Sequence, residues 1–308
     1  MPVLSPSLMA CTRPKARPEI GITVNDTNLL IDCEELHAAL SSSRLRIIDC
    51  RSELLDPKAG RRLYSESHIP GAVFADLDLD LAAPVTAGSG RHPLPGVTEL
   101  AMTFGRLGIT NSTRVVVYDQ QSGALAARCW WLLRWLGHRD ARLLNGGFNR
   151  WQQLGLDTEA GAVPVPVEVF RPRPQAHLVL HSDEIVNAGD ERASLQLVDA
   201  RDTDRFAGIS EPIDPVAGHI PGSISVPFTD NLGADGAWKS RAELRKLWEA
   251  ALGQGAGQPW SVMCGSGVTA CHHVISGLLA GLPEPRVYVG SWSEWITDPD
   301  RPISPDPV

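Results

Sequence analysis

The sequence predicts an α/β protein built from two copies of one domain, each a mostly parallel sheet flanked by helices. Three observations carry this. The chain has 308 residues, about twice the roughly 150 of an ordinary domain. Four segments recur in the same order: LRIIDCRSE (45–53) with LQLVDARDT (195–203), HIPGAVFADL (68–77) with HIPGSISVPF (219–228), VVVYDQ (115–120) with SVMCGS (261–266), and GGFNRW (146–151) with GSWSEW (290–295). Their offsets of 144 to 151 residues drift only as small loop insertions would make them. Within each copy, short apolar runs alternate with helical patterns, the signature of βαβ units.

The second copy shows the elements in order. Residues 196–199 read as a strand, 242–252 as an amphipathic helix and 260–263 as a strand; 268–282 then read as a helix and 286–289 as a strand. Prolines at 164, 166, 172 and 174 mark residues 156–177 as a semi-rigid, extended linker. Domains are therefore expected over 25–155 and 178–303, behind an N-terminal extension, 1–24.

Composition excludes several functions. With 28 basic against 36 acidic residues the net charge is −8, the wrong sign for a general nucleic-acid binder. The most apolar segment, 124–137, is broken by Arg128 and Arg134, so no membrane span is expected. The N-terminus lacks the basic and apolar regions of a signal peptide, and L-M-A-C at 8–11 reads as a chance lipoprotein likeness. Six cysteines (Cys11, Cys33, Cys50, Cys129, Cys264, Cys271) are too sparse for a disulfide scaffold, and no C-x-x-C offers a metal seat. A reducing compartment, the cytoplasm, is the expectation, with no metal and no cofactor.

Chemistry concentrates in one loop. Strand 260–263 runs into Cys264-Gly265-Ser266-Gly267-Val268-Thr269-Ala270 and then a helix, and ligands gather at such carboxyl ends of parallel strands. The two glycines let the backbone curl so that successive N–H groups point inward. The helix start adds positive partial charge. A cysteine there is expected to be a nucleophilic thiolate; a buried structural cysteine is the competing reading. At the matching place the first copy carries Asp119, which cannot attack sulfur, so that copy is expected to be silent and to form one wall of the cleft.

C-G-S-G-V-T-A, with D-A-R (199–201), R-F (205–206), G-H-I-P-G (218–222) and the closing G-S-W-S-E-W, resembles the tandem-domain rhodanese family over nearly the whole chain. The loop is similar to that of its 3-mercaptopyruvate sulfurtransferases; the thiosulfate-specific members typically carry basic residues where Gly265 and Ser266 stand. The resemblance implies two rhodanese-like domains and a sulfur relay without metal or cofactor. Cys264 takes a sulfur atom from a small anionic donor, becomes a persulfide, and yields it to a thiol, cyanide or a thioredoxin-like acceptor. The amides of Gly265, Gly267, Val268 and Thr269 would cradle the charge.

By the same resemblance, Ser266 is a hydrogen-bonding or proton-relay residue and Arg205 binds the donor's anionic group, the fork of a guanidinium suiting carboxylate or sulfonate. His68 stands where the family's relay histidine is proposed, although H-I-P-G in both copies also fits a structural turn. The aspartate usually named as the third relay member has no clear match, since Lys58-Ala59-Gly60 occupies that stretch. A second donor-binding arginine is missing too: the chain reads Ser210-Glu211-Pro212-Ile213-Asp214. Arg91, in G-S-G-R-H-P-L-P, is the expected substitute, and the donor stays open between 3-mercaptopyruvate and thiosulfate. Cys129, Cys271, His272, His273, Trp130, Trp131 and Trp135 are expected to be packing residues.

Two rivals stand beside this. Phosphatase chemistry needs C-x5-R, but the sixth residue after Cys264 is Ala270. A non-catalytic sulfur-binding or sensor module would not need an intact thiol loop. A monomer or small homo-oligomer is expected.

Overall fold

The computed structural model describes residues 28–53 and 56–304. The expectations about residues 1–24, Cys11 included, lie outside the described residues. Ten strands form two sheets. The first holds β1 (Leu30–Ile31), β2 (Leu45–Asp49), β3 (Ala72–Phe74), β4 (Arg114–Tyr118) and β5 (Ala141–Leu144), in the order β1-β5-β4-β2-β3. The second holds β6 (Val179–Leu180), β7 (Leu197–Asp199), β8 (Ile224–Ser225), β9 (Ser261–Met263) and β10 (Arg286–Tyr288), in the order β6-β10-β9-β7-β8. Every named pairing is parallel. The two orders are one order repeated, so the duplication read from the segments is a duplication of topology.

Helices cover the sheets: α1 (Cys33–Ala39), α2 (Ala59–Glu66), α3 (Val97–Arg106), α4 (Ala126–Trp135) and α5 (Gly147–Gln153) in the first half. The second half has α6 (Ser182–Asn187), α7 (Thr203–Phe206), α8 (Arg241–Leu252), α9 (Ala270–Leu279) and α10 (Ser291–Trp295). Local chemistry sets their ends. Ser240 Oγ accepts from the Glu243 amide while Glu243 accepts from the Ser240 amide, a capping box that starts α8. α9 is shorter than the pattern 268–282 implies. Val268 and Thr269 belong to the loop before it, and Gly281, at φ +76°, turns the chain left-handed just beyond its end.

Sheet register fixes the match between the halves. Asp49 on β2 stands opposite Tyr118, and Asp199 on β7 stands opposite Met263. The next residues, Asp119 and Cys264, are therefore equivalent, an offset of 145. Both flanking aspartates hold an arginine two residues on: Arg51 Nη2 lies 2.6 Å from Asp49, and Arg201 Nη2 lies 2.7 Å from Asp199.

α4 and α9 leave these two equivalent loops, and each is apolar almost all round. Every residue of α4 and nine of the ten in α9 are buried, as expected of helices with no solvent face. They pack against each other between the two halves. One continuous core, including Trp130, Trp131 and Trp135 from α4 and Val274 and Ile275 from α9, spans both sheets. Each such side chain contributes roughly 1.5–3 kcal/mol by leaving water. An ion pair between buried Arg134 and partly exposed Glu284, with Nη2 2.9 Å from Oε2, crosses the same seam. His272 and His273 are fully buried on Asn231 Nδ2, at 2.9 and 3.0 Å. Residues 156–177 run across the first half, with Phe170 buried and Val163 and Val165 against the core.

Candidate active site

Cys264 follows β9 directly, and its side chain is buried. Its amide donates to Ser291 Oγ at 3.1 Å, and its carbonyl accepts from the Trp292 amide at 3.0 Å. α10, the G-S-W-S-E-W segment, thus clamps the loop from outside. The Gly267 amide donates to Cys264 Sγ at 3.1 Å. Gly267 has φ +77°, and a Cβ there would collide with the Val289 carbonyl, so only glycine closes the turn. Gly265, Val268 and Thr269 complete the loop, with Gly265 and Val268 buried and Thr269 half-buried.

Two arginines flank Gly265. A Cβ at Gly265 would lie 2.9 Å from Arg91 Nη2 and 3.4 Å from Arg205 Nη2. Arg91 arrives from the first half, and its amide donates to Ser293 Oγ at 3.0 Å. Both arginines meet Asp214: Arg205 Nη2 at 3.1 Å and Arg91 Nη1 in a close ion pair. Arg205 Nε also donates to both oxygens of Glu211, at 3.0 and 3.1 Å. Cationic groups from both halves, Arg91 and Arg205, thus converge at the loop.

The relay residue differs from the expectation. His68 does not reach Ser266. Its Nδ1 bonds the Tyr64 carbonyl at 2.7 Å, its Nε2 lies 3.2 Å from Glu159, and its backbone pairs with Glu159 in both directions. His219 repeats the arrangement with the Phe206 carbonyl and the Ser304 backbone. H-I-P-G is a turn that pins the end of each half, and His68 is corrected from relay residue to structural residue.

The histidine on the serine is His92, beside Arg91. Its Nδ1 lies 2.7 Å from Ser266 Oγ, and its Nε2 lies 3.2 Å from Asp78 Oδ1. Burial first, then the nearby charges of Arg128 and Arg91, push His92 down to about 4, so its ring is neutral at pH 7. Facing a carboxylate, Nε2 carries the proton; Nδ1 then accepts from the Ser266 hydroxyl. Asp78, His92 and Ser266 thus form one continuous line of contacts ending at the sulfur loop, and none of 58–60 takes part in it. The loop G-S-G-R-H-P-L-P already held His92 one residue from Arg91. Its pairing spans 174 residues, a distance no local pattern reports.

The equivalent loop in the first half shows what this backbone does with an anion. Asp119 Oδ1 accepts from the amides of Gln121 and Gly123, at 3.1 and 2.8 Å; Oδ2 accepts from Leu125 and Ala126, at 2.9 and 3.2 Å. The cradle is filled by the chain's own carboxylate. Nucleophilic sulfur chemistry has no place there.

Among the described residues, no helix is long and apolar enough to cross a membrane. No group of three or more His, Cys, Asp or Glu side chains among them could hold a metal ion.

A family model described as rhodanese-like domain matches residues 32–154 and again 182–298. The chain is 48% identical over 280 residues to a probable 3-mercaptopyruvate sulfurtransferase of Pseudomonas aeruginosa, covering 89% of this chain and 97% of that one. It is 38% identical to the 3-mercaptopyruvate sulfurtransferase of Rattus norvegicus, over 88% of this chain and 92% of the relative. Its structure superposes on that of a 3-mercaptopyruvate sulfotransferase from Escherichia coli with a TM-score of 0.77 and 30% identity, covering 87% of this chain and all of the other.

Proposed function

The chain belongs to the rhodanese-like family, and from that premise we propose that it is a sulfurtransferase that moves sulfur from 3-mercaptopyruvate to a thiol or cyanide through a persulfide on Cys264. We take residues 25–155 as the silent domain, 178–303 as the catalytic one and 156–177 as their linker. The observation that carries the donor assignment is the Asp78–His92–Ser266 path ending beside the sulfur loop.

The Cys264 thiolate attacks the sulfur of 3-mercaptopyruvate. An S–S bond forms, the C–S bond breaks, and its electron pair leaves on the enolate of pyruvate. Ser266 gives its hydroxyl proton to the enolate oxygen and takes up in exchange the proton of the donor's thiol, which leaves the persulfide as an anion, while His92 Nδ1 accepts from the hydroxyl and holds it in place. Arg91 and Arg205 hold the donor carboxylate, which trades places with Asp214. The persulfide's terminal sulfur then lies among the loop amides, as the Asp119 carboxylate does in the other half. An acceptor nucleophile attacks that sulfur and regenerates the thiolate.

Thiosulfate is the second donor. The stretch Ser210–Asp214 lacks the second arginine expected of mercaptopyruvate enzymes, and the paired cations of Arg91 and Arg205 fit an inorganic dianion as well. The five described cysteines are free thiols, which supports a reducing compartment, the cytoplasm.

Intact-mass spectrometry tests the proposal. Incubation with either donor should add the mass of one sulfur atom to the wild-type chain and none to Cys264→Ser. An adduct that survives the substitution overturns it. Comparison of kcat/KM then decides the donor: thiosulfate ahead by tenfold, about 1.4 kcal/mol in transition-state stabilisation, reverses the assignment.

A further inference from the structure

We propose that Arg128, on α4 of the silent half, is a positioning residue for Cys264: it ties the sulfur loop to the relay loop and supplies the fixed positive charge behind the thiol. The purpose of that charge rests on the sulfurtransferase reading; the placement of the guanidinium does not.

Arg128 is fully buried. Nη1 donates to the Gly267 carbonyl at 3.1 Å, Nη2 to the His92 carbonyl at 3.2 Å and the Pro93 carbonyl at 3.5 Å, and Nε to the Leu81 carbonyl at 3.4 Å. Gly267 is the residue whose amide faces Cys264 Sγ. His92 is the residue whose ring holds Ser266. One planar fork therefore grips both partners of the reaction by their backbones, across the seam between the halves.

Its charge is uncompensated. Four acceptors are carbonyl oxygens, the Cys271 thiol that also meets the guanidinium is pushed up to about 12 by burial and is neutral at pH 7, and among the described residues no carboxylate pairs with it. Burying such a cation is costly without a compensating anion, and guanidinium does not shed its proton to escape the cost. The groups around the sulfur are Arg91 and Arg205 at Gly265, neutral His92 beyond Ser266, and Cys271, whose Sγ lies 3.4 Å from the Gly267 carbonyl. Arg91 and Arg205 are held by Asp214 and Glu211. Arg128 is left as the cation whose natural counter-ion is a thiolate or a persulfide anion.

The duplication supplies the control. At the offset of 145 fixed by the sheet register, Gly267 matches Ser122. The Ser122 carbonyl also receives a side chain from the opposite helix: His272 Nε2 of α9, at 3.0 Å. Burial pushes His272 down to about 3, so this group is neutral at pH 7. The reciprocal contact thus carries a cation toward the loop that holds a thiol, and a neutral donor toward the loop that already holds a carboxylate. Structural tethering alone would be served by the same residue on both sides.

The test is the pH dependence of Cys264 alkylation by iodoacetamide, read by peptide mass spectrometry in the full-length chain, alongside turnover. Arg128→Gln keeps donors for the carbonyls without charge; Arg128→Lys keeps charge without the fork. In Arg128→Gln the alkylation midpoint should rise by about one pH unit, the size expected for loss of one nearby opposite charge. In Arg128→Lys the midpoint should stay near wild type while kcat on 3-mercaptopyruvate falls about tenfold or more, because the two loops lose their common anchor. An unmoved midpoint in Arg128→Gln overturns the electrostatic role. Unaltered kcat in Arg128→Lys overturns the positioning role, and that variant decides alone if the neutral one does not fold. Alkylation needs no sulfur donor, so failure of the sulfurtransferase reading would show separately, as a wild-type chain that gains no sulfur.

Discussion

Replacing His92 with alanine separates proton delivery from sulfur attack. The substitution removes a 2.7 Å bond to Ser266 Oγ and a 3.2 Å contact with Asp78, both inside the site. If the serine protonates the departing enolate, loss of its partner removes a general acid, which typically contributes 10²- to 10⁴-fold, or about 2.7–5.4 kcal/mol. That loss should fall on kcat with 3-mercaptopyruvate, leaving KM within about threefold, since neither Arg91 nor Arg205 touches the ring. Thiosulfate releases sulfite, which leaves as a stable anion and needs no proton, so its kcat should fall less than about tenfold. The fold should lose only about 1–3 kcal/mol, the cost of stranding buried hydrogen-bonding partners, and thermal unfolding checks this. Steady-state kinetics with both donors and cyanide as acceptor is the assay. Equal losses with the two donors would refute the relay and leave His92 as a prop for the loop.

Three further outcomes are expected. Asp214→Asn removes the carboxylate that Arg91 and Arg205 share; KM for an anionic donor should drop about threefold or more, whereas Arg91→Ala should raise it, and unchanged values in both would remove Asp214 and Arg91 from the donor site. Gly267→Ala forces a side chain into a left-handed turn against the Val289 carbonyl; it should cost about 1–3 kcal/mol in urea unfolding and abolish persulfide formation, and near-normal activity would contradict the loop geometry. Burial pushes His92 and His273 down to about 4 and His272 to about 3. Their unfolded forms titrate near 6.5, so below that pH the unfolded chain binds more protons and stability must fall as pH falls toward 4. Between pH 6.5 and 5 each should remove roughly 1.5 kcal/mol. An unfolding free energy that is flat across this window would show that these rings are not held neutral.

How far the sequence could be read follows the range of each interaction. Cys264, its glycines and the silent Asp119 were legible because a strand, a tight turn and a helix start are local, and the second copy offered a comparison within one chain. The duplication and its parallel sheets followed from the repeats and the βαβ pattern, whereas the strand order did not. Arg91 was reachable by noticing that Ser210–Asp214 carries no arginine. His92 and Asp78 were not, because their meeting with Ser266 depends on how two halves dock. H-I-P-G drew attention to His68 instead, a residue whose repetition in both halves already signalled a turn. Arg128 read as an interruption in an apolar helix; its role appears only once α4 lies against α9.

The reciprocal crossing of α4 and α9 has an evolutionary consequence. Each half lends a side chain to its neighbour's loop, and the half whose own loop holds Asp119 also carries His92 and Arg91 to the loop of Cys264. Cutting the gene at the linker would yield two pieces, neither able to turn over, and swapping one piece for that of a distant relative would break contacts that only co-inherited partners share. Each copy is thus built around contacts that the other supplies.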